Sequence, residues 1–262
     1  MLRRTVLRAV QGIVQQVTRH HCTEQSTVLR EDMIEETVQA VFRGFNPHAA
    51  VRVYRRNLPH WRQDGATYFF TFRLADSIPR HVLLAWQDED RLWLAARGVD
   101  GPLSQPQWRT AYESLSENDR TSFERRSARR LHVELDQCHG ACVLRSPIAR
   151  DLALGALQYF HGERWWLGDV VIMPNHVHGL GQPAGGHDLE RILGSVKGYV
   201  STRLTKQGMK SGRLWQQENY DRVVRDRDEL SVWRRYIQQN PVKARLRDGE
   251  YDYQRCSWLD AV

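Results

Sequence analysis

The sequence predicts an α+β fold in which a split βαβ arrangement builds one antiparallel sheet. Residues 68–72 and 165–172 are apolar enough to form buried strands, and amphipathic helical patterns alternate with the strand candidates after residue 146. The resulting order is β-α-β-β-α-β, which is typical of a ferredoxin-like sheet with its helices on one face. A helical insertion after the first strand and a further helix near the C-terminus complete the prediction.

The first strand follows a turn at Asp64-Gly65 and consists of Tyr68–Phe72, which is aromatic and apolar almost throughout. Helical stretches at about 79–97 and 107–136 come next, separated by glycines and prolines. Both stretches are polar and rich in arginine. We therefore expect an insertion, about residues 76–140, on the outside of the core.

The remaining core elements begin at Pro147, which is well suited to the first turn of a helix that we expect to end at Gly162. Residues 165–172 are expected to form a strand. Residues 173–175 are expected to turn the chain, and residues 176–180 to form a second strand.

The C-terminal elements start with Asp188, an expected cap for a helix that reaches about Leu204. A strand-like segment covers 214–224. A last amphipathic helix is expected from Asp228 to Asn240, stopped by Pro241.

Length and composition narrow the class of protein. The chain has 262 residues with 41% hydrophobic and 10% aromatic residues, which excludes a disordered chain. It has no run of 18 apolar residues, so we expect no membrane span. We divide it into an N-terminal helical extension of unknown role (1–50), one domain (51–250) and a C-terminal tail (251–262).

Positive charge is concentrated in one part of the chain. The net charge is +7, but residues 191–247 alone carry fourteen Lys or Arg and five Asp or Glu. This distribution favours a phosphate-bearing partner over a merely solvated helix surface, which is the alternative. The expected contacts with the phosphates of that partner are Lys197, Arg203, Arg213, Arg234 and Arg235. Trp215 is a candidate for base stacking, with a buried core tryptophan as the alternative interpretation.

The four cysteines are too few for a disulfide scaffold. Cys138 and Cys142 are close in sequence with His139 between them, but no second pair stands at the spacing of a zinc ribbon. We interpret them as reduced thiols, with a metal site as the less favoured alternative.

The pattern His176-Val177-His178 is the first candidate for chemistry. Side chains two apart on a strand project from the same face, so the two imidazoles are placed to hold one divalent cation. The alternative is a pair of partly exposed histidines on a sheet edge.

Tyr236 and Asn240 are the second candidate. On a helix they are one turn apart on the same face. A tyrosine hydroxyl has a pKa near 10, so a nucleophilic tyrosine needs an electrophile that a metal has made more reactive. Two histidines and an amide leave metal positions open for phosphate oxygens. The alternative is a half-buried aromatic residue and a helix C-terminus.

Taken together, the motifs resemble those of the REP-associated tyrosine transposases, single-strand DNA transposases of the HUH superfamily with an IS200-like domain. The resemblance rests on Met-Pro-Asn-His-Val-His at 173–178, on Trp215-Gln216, and on the segment from Tyr236 to Val242 that contains Asn240 and Pro241. Residues 54–61, 68–74 and 135–145 also look like that family. The resemblance covers roughly 51–245, and the long insertion departs from the family's compact pattern.

The resemblance implies roles for individual residues. His176 and His178 are the expected pair that binds Mg²⁺ or Mn²⁺, with Asn240 as the third ligand. Tyr236 is the expected nucleophile, which forms a 5′-phosphotyrosine and releases a 3′-OH. The implied substrate is single-stranded DNA with hairpins, as in repetitive palindromic elements, and the implied state is a monomer or a homodimer. The five cations singled out between residues 197 and 235 are then expected DNA contacts, and the implied location is the cytoplasm of a bacterium, near the nucleoid.

Other classes of function stay open at this point. A non-catalytic binder of hairpin or single-stranded nucleic acid would use the same sheet and charge without needing Tyr236 or metal. A hydrolase that activates water would cut DNA without a covalent adduct. An interaction scaffold would need an exposed apolar patch that the sequence does not reveal.

Overall fold

The aromatic strand predicted at 68–72 is the centre of the sheet. In a computed structural model that describes residues 40–55, 59–99 and 105–260, five antiparallel strands form this sheet. The five strands of this sheet are β3 (Tyr68–Arg73), β4 (Trp165–Ile172), β5 (His176–Pro183), β6 (Tyr220–Val223) and β7 (Asp252–Gln254). Before them in the chain come β1 (Arg52–Arg55) and β2 (Pro59–Arg62). The helices are α1 (Arg80–Ala95), α2 (Gln105–Ser114), α3 (Glu117–Leu135), α4 (Pro147–Gln158), α5 (Leu189–Lys206) and α6 (Arg227–Lys243).

The sheet has the order β6-β3-β5-β4-β7, and β1 and β2 form a separate antiparallel hairpin. Strand β5 lies between β3 and β4, and the connections through α4 and α5 give the split βαβ arrangement. The predicted ferredoxin-like α+β class is therefore confirmed. Strand β7 is an addition at the β4 edge.

The alternation of side chains on β3 separates two cores. Phe70 and Phe72 face α4 and α5 in one apolar cluster. Phe69 lies on the opposite face in a second cluster with Leu230 and Ile237 of α6. The α4 and α5 helices thus share one face, as predicted, and α6 covers the other.

Gly179 allows the two central strands to pack closely. A Cβ at this position would lie 2.5 Å from Cζ of Phe70. A larger residue in β5 would therefore displace the aromatic side chain that fills the α4–α5 face. The glycine between His178 and Leu180 is explained by this contact.

The insertion contains three helices, not the two that the sequence predicts. The predicted helix 107–136 is broken at Ser116, whose hydroxyl accepts a hydrogen bond from the backbone N–H of Asp119 (3.1 Å) and caps α3. Leu94, Tyr112, Leu115 and Phe123 form a small cluster of their own within the insertion.

The strand predicted over 214–224 is shorter than expected. Only Tyr220–Val223 forms β6, and Trp215 makes a single bridge to Leu74. The Lys197 ammonium binds the carbonyl oxygens of Gln216 (2.7 Å) and Gln217 (3.1 Å), which a neighbouring strand would otherwise use.

Three helix boundaries also differ. Helix α4 ends at Gln158, before Gly162. Asp188 stands at the N-cap of α5, but its carboxylate pairs with Arg52 and does not cap the helix. Helix α6 continues through Pro241 to Lys243, because a proline this close to the helix end removes only one hydrogen bond.

The N-terminal helical prediction lies almost entirely outside the described residues. In the described part of the predicted extension, Phe45 donates its backbone N–H to the carbonyl of Val224 (2.9 Å). Phe42 packs beside α6. The domain boundaries remain predictions. Within the described ranges, no helix combines the length and apolar character needed to cross a bilayer.

Candidate metal and tyrosine site

His176 and His178 project from β5 toward α6. Their ring centroids are 4.4 Å apart, and both side chains are fully buried. In the antiparallel register His176 lies opposite Arg73 and His178 opposite Thr71. Because β5 is an interior strand, the alternative of two exposed histidines on an edge is wrong.

A chain of hydrogen bonds fixes the protonation of His176. Asn175 donates its Nδ2–H to the carbonyl of His139 (3.1 Å), which leaves its Oδ1 as an acceptor 2.7 Å from Nδ1 of His176. Nδ1 must therefore carry the proton, and Nε2 presents a lone pair. Burial lowers the pKa of His176 to about 3, so the ring is neutral at physiological pH.

His178 connects the sheet to α6. Its Nδ1 lies 2.7 Å from the Thr71 hydroxyl, and its Nε2 lies 3.2 Å from the Tyr236 hydroxyl. Burial, together with the neighbouring His176, His132 and Lys243, holds the pKa of His178 well below its ordinary value. When Thr71 accepts from Nδ1, Nε2 is the free nitrogen and faces the phenol.

Tyr236 is held by an aromatic group beneath α6. Phe69 stacks on Trp233 at 3.9 Å and meets the Tyr236 ring edge-on at 5.9 Å. Burial, and then the charge of Asp136, raises the pKa of Tyr236 above its ordinary value. The phenol is therefore protonated, with Lys243 Nζ 4.8 Å from its ring centre.

Asn240 lies one turn after Tyr236 and is fully buried. Its Nδ2 donates to Oδ1 of Asp136 (3.2 Å), and this fixes its Oδ1 as an acceptor. Within the described part of the chain this Oδ1 has no hydrogen-bond partner, and neither has Nε2 of His176. The Asn240 amide is also close enough to His176 to oppose the lowering of its pKa.

These atoms suit a divalent cation. Nε2 of His176 and Oδ1 of Asn240 are buried acceptors without a donor, and a buried lone pair without a partner is costly. Among the described residues no three His, Cys, Asp or Glu side chains are grouped to hold a metal ion, so a metal bound here would need an amide oxygen as its third ligand. Imidazole nitrogens and an amide oxygen match Mg²⁺ or Mn²⁺ with positions left open.

The insertion contributes to the site through α3. The ring of His132 lies 5.3 Å from that of Tyr236 and 5.4 Å from that of His178. Its Nε2 is buried without a partner within the described ranges. Burial lowers the pKa of His132 to about 4. Asp136, one helical turn further on, is the residue that holds Asn240.

The residues predicted to contact DNA lie in different places. Lys197 and Arg203 are on α5, across the sheet from Tyr236, and the Arg203 guanidinium lies 5.2 Å from the Tyr199 ring. Arg234 forms ion pairs with Asp169 (2.9 Å) and Asp260 (2.6 Å), which raise its pKa. These carboxylates neutralise its charge, so we no longer count Arg234 among the available cations. Arg213 and Arg235 are exposed.

The contacts of Trp215 and of the two neighbouring cysteines decide between the alternatives that the sequence left open for them. Trp215 is buried, and its Nε1–H donates to the carbonyl of Lys197 (3.0 Å), so it does not offer a stacking surface. Cys138 and Cys142 are free thiols, and the Cys142 Sγ donates to the carbonyl of Cys138 (2.9 Å). His139 pairs with Glu134 (3.0 Å).

Sequence reasoning assigned no role to Thr71, His132, Asp136 or Asn175. Asn175 and Asp136 stand inside motifs already singled out, so a search for hydrogen-bond partners of the two metal candidates would have found them. Thr71 depends on the β3–β5 register, and His132 on the position of the insertion. Neither can be read from local periodicity.

Comparisons with known proteins agree with the motifs. A family model described as "Transposase IS200 like" matches residues 143–240, which span the two histidines, Tyr236 and Asn240. A solved structure of a REP-associated tyrosine transposase bound to a REP hairpin is similar at 16% identity, with 72% of each chain covered and a TM-score of 0.37. No curated protein matches the sequence significantly.

Proposed function

We propose, from the match of residues 143–240 to the family model described as "Transposase IS200 like", that the chain is a metal-dependent endonuclease and strand transferase of single-stranded DNA. Its substrate is DNA near a hairpin, as in repetitive palindromic elements. The observation that carries the proposal is the position of the Tyr236 hydroxyl, 3.2 Å from Nε2 of His178 and beside the buried acceptors of His176 and Asn240.

The metal ligands in this proposal are His176, His178 and Asn240. Mg²⁺ or Mn²⁺ bound there would polarise the scissile phosphodiester and orient it. The protein prepares this site without the metal: Asn175 orients His176, Thr71 orients His178 and Asp136 orients Asn240. Such partners of metal ligands fix which atom faces the ion.

Tyr236 acts as the nucleophile. The phenol gives its proton to solvent, the bond between Oη and phosphorus forms, and the bond between phosphorus and the 3′ oxygen breaks. The departing 3′ oxygen takes up a proton from solvent. The products are a 5′-phosphotyrosine and a 3′-OH. Burial raises the pKa of Tyr236, so the free phenol keeps its proton, and the positive charge of a bound cation would favour the loss of that proton.

The hydrogen bond between Tyr236 and His178 would have to break before His178 binds a metal. It occupies the nitrogen that the proposal gives to the metal. Binding of the metal would therefore release the hydroxyl from His178. Tyr236 is then available to the phosphate while its ring keeps its contacts with Phe69 and Trp233.

The test is a denaturing gel of the purified protein with 5′- and 3′-labelled hairpin DNA from around its own gene. Mg²⁺, Mn²⁺ and EDTA are compared, for the wild type and for Tyr236→Phe. We expect a metal-dependent adduct on the downstream fragment that is absent in Tyr236→Phe. Cutting that survives Tyr236→Phe would point to attack by water, and binding without cutting would leave a hairpin-binding protein.

A further inference from the structure

A basic pair at the end of β3 is not used by the site described above. Arg73 is the last residue of β3 and lies directly opposite His176 in the register. Side chains of directly opposite residues stand on the same face of the sheet. Arg73 therefore leaves the sheet on the side of Tyr236, next to the two metal candidates.

The hydrogen bonds of Arg73 use only one of its three nitrogens. Nη1 donates to Oγ of Ser77 (3.1 Å) and makes a longer contact with the carbonyl of Leu74 (3.4 Å). Nε and Nη2 have no partner among the described residues, and neither is sealed from solvent. These two nitrogens form the edge of the guanidinium that binds phosphate or carboxylate with two parallel hydrogen bonds.

Arg150 shows how a structural arginine is satisfied in the same protein. Its Nε donates to Asp252 (2.9 Å), Nη1 to the carbonyl of Arg145 (2.6 Å) and Nη2 to the carbonyl of Gly249 (2.8 Å). Arg73, by contrast, is half-buried and contacts no carboxylate within the described ranges. A buried cation without a counter-charge is expensive, which indicates that an external anion completes the site.

Arg213 adds a second positive charge beside Arg73. Its Nε donates to the carbonyl of Trp215 (3.0 Å), and the rest of its guanidinium is exposed. Burial, and then the charge of the neighbouring Arg213, lower the pKa of Arg73 to about 10. Two adjacent cations of this kind repel each other until an anion lies between them.

The backbone around Arg73 is held firmly. Its carbonyl accepts from the N–H of Gln216 (2.9 Å), and the N–H of Leu74 donates to the carbonyl of Asn175 (2.8 Å). Ser77 is fully buried and donates to the carbonyl of Leu74 (2.7 Å). The free edge of the guanidinium is thus fixed relative to the residue that orients His176.

We propose that Arg73, with Arg213, binds a backbone phosphate of the DNA strand next to the scissile bond. The inference rests on the proposed function, because that function supplies the phosphodiester. It adds a phosphate subsite beside His176, on the same face of the sheet as Tyr236. The subsite holds the strand through its backbone and is therefore independent of base sequence.

The test measures affinity for hairpin DNA in EDTA, by fluorescence anisotropy, for the wild type, Arg73→Gln and Arg73→Lys. Arg73→Gln keeps a donor for Ser77 but removes the charge and the fork. The control is Arg164→Gln, since Arg164 precedes β4 at the end opposite Ile172, about 26 Å along the strand. Each phosphate near the cleavage position is replaced in turn by an uncharged methylphosphonate.

We expect Arg73→Gln to weaken binding of unmodified DNA roughly tenfold, the usual effect of losing a hydrogen bond to a charged group. One methylphosphonate should weaken wild-type binding by a similar factor and have no effect on Arg73→Gln. Arg73→Lys should recover part of the affinity, and Arg164→Gln should behave as the wild type. The proposal would be overturned if Arg73→Gln bound unmodified DNA as tightly as the wild type does. It would also be overturned if every methylphosphonate weakened binding of Arg73→Gln as much as it weakens binding of the wild type.

Two further readouts separate this proposal from its alternatives. The melting temperature of Arg73→Gln without DNA should equal or exceed that of the wild type, because an unpaired charge is removed. A large decrease would make Arg73 structural and overturn the subsite. If the wild type forms the Tyr236 adduct while Arg73→Gln binds normally, only the subsite fails. If no adduct forms while the methylphosphonate effect is seen, the subsite stands and the catalytic function fails.

Discussion

The two faces of the sheet are built from the same strands but satisfy their polar groups differently. On the α4–α5 face, alternate strand residues meet Ala153, Leu157, Leu193 and Val200 in an apolar cluster. On the α6 face, four buried polar atoms around Tyr236 lack a partner in the described part of the chain: Nε2 of His132, Nε2 of His176, Nε1 of Trp233 and Oδ1 of Asn240. The first face stabilises the fold, and the second holds polar atoms whose hydrogen-bonding or metal-binding capacity a ligand would satisfy.

The largest expected loss of stability follows from shortening a side chain in the apolar cluster on the α4–α5 face. Leu157→Ala removes a fully buried side chain of α4, and we expect it to lower the free energy of unfolding by about 4 kcal/mol. Urea denaturation measures this loss. At temperatures where the variant is folded, formation of the DNA adduct should be unchanged. Loss of the adduct in folded Leu157→Ala would show that the faces are not independent.

Arg234 tests whether a cation on α6 supports the fold or binds DNA. Arg234→Met leaves the buried Asp169 without its ion-pair partner, and we expect a loss of about 3 kcal/mol of stability. The control is Arg235→Met, one residue away and exposed, which should change stability by less than about 0.5 kcal/mol. A drop in DNA affinity for Arg234→Met alone, without loss of stability, would contradict this division.

The pH dependence of stability should report the burial of His132. Its pKa is lowered to about 4 in the folded protein, so the unfolded chain binds more protons between about pH 6.5 and 4. Stability contributed by the neutral ring is complete above pH 6.5 and is lost as the pH falls toward 4. Between pH 6.5 and 5 this amounts to about 2 kcal/mol, measured by urea denaturation.

His132→Phe is the control for that titration. It keeps a ring against Tyr236 and removes the titrating group, so its stability should fall less steeply below pH 6.5 than that of the wild type. Parallel curves for the two proteins would mean that His132 does not lose protons on folding.

Substitution of Asp136 has the smallest expected effect, and that effect is specific to metal binding. Asp136→Ala frees the Asn240 amide to rotate, and we expect Mn²⁺ to bind roughly tenfold more weakly, as for other partners of metal ligands. Asp136→Asn still accepts from Nδ2 of Asn240 and should bind within about threefold of the wild type. Calorimetric titration of the DNA-free protein with Mn²⁺ measures both. Equal affinity of all three proteins would remove the positioning role.

The sequence was most informative where a local pattern determines the structure. Strand Trp165–Ile172 was predicted at both ends, because an apolar run between a glycine-containing turn and Pro174 has few alternatives. The motif resemblance assigned His178 and Tyr236 to one site, and in the structure Nε2 of His178 lies 3.2 Å from the Tyr236 hydroxyl; their roles remain predictions. The pairing of Arg234 with Asp169 joins α6 to β4 across many residues, and no local signal distinguishes it from a free arginine.

The features that the sequence did not predict depend on contacts between segments that are far apart in the chain. The break at Ser116, the short β6 and the approach of His132 to the site depend on how distant segments pack. Lys197 illustrates the point, since its position on a basic helix predicts phosphate binding, whereas its ammonium holds the loop at 216–219. Charge patterns identify a basic region, but contacts decide which cations remain available.

The central claim is that Tyr236 becomes joined to DNA through the site on the α6 face. The most direct measurement is mass spectrometry of the trapped protein–DNA adduct after digestion with nuclease and protease. We predict a nucleotide phosphate on the peptide that contains Tyr236, formed only with Mg²⁺ or Mn²⁺. A modification on Tyr220, which is half-buried in the same aromatic group, or cleavage with no modified tyrosine, would contradict the account.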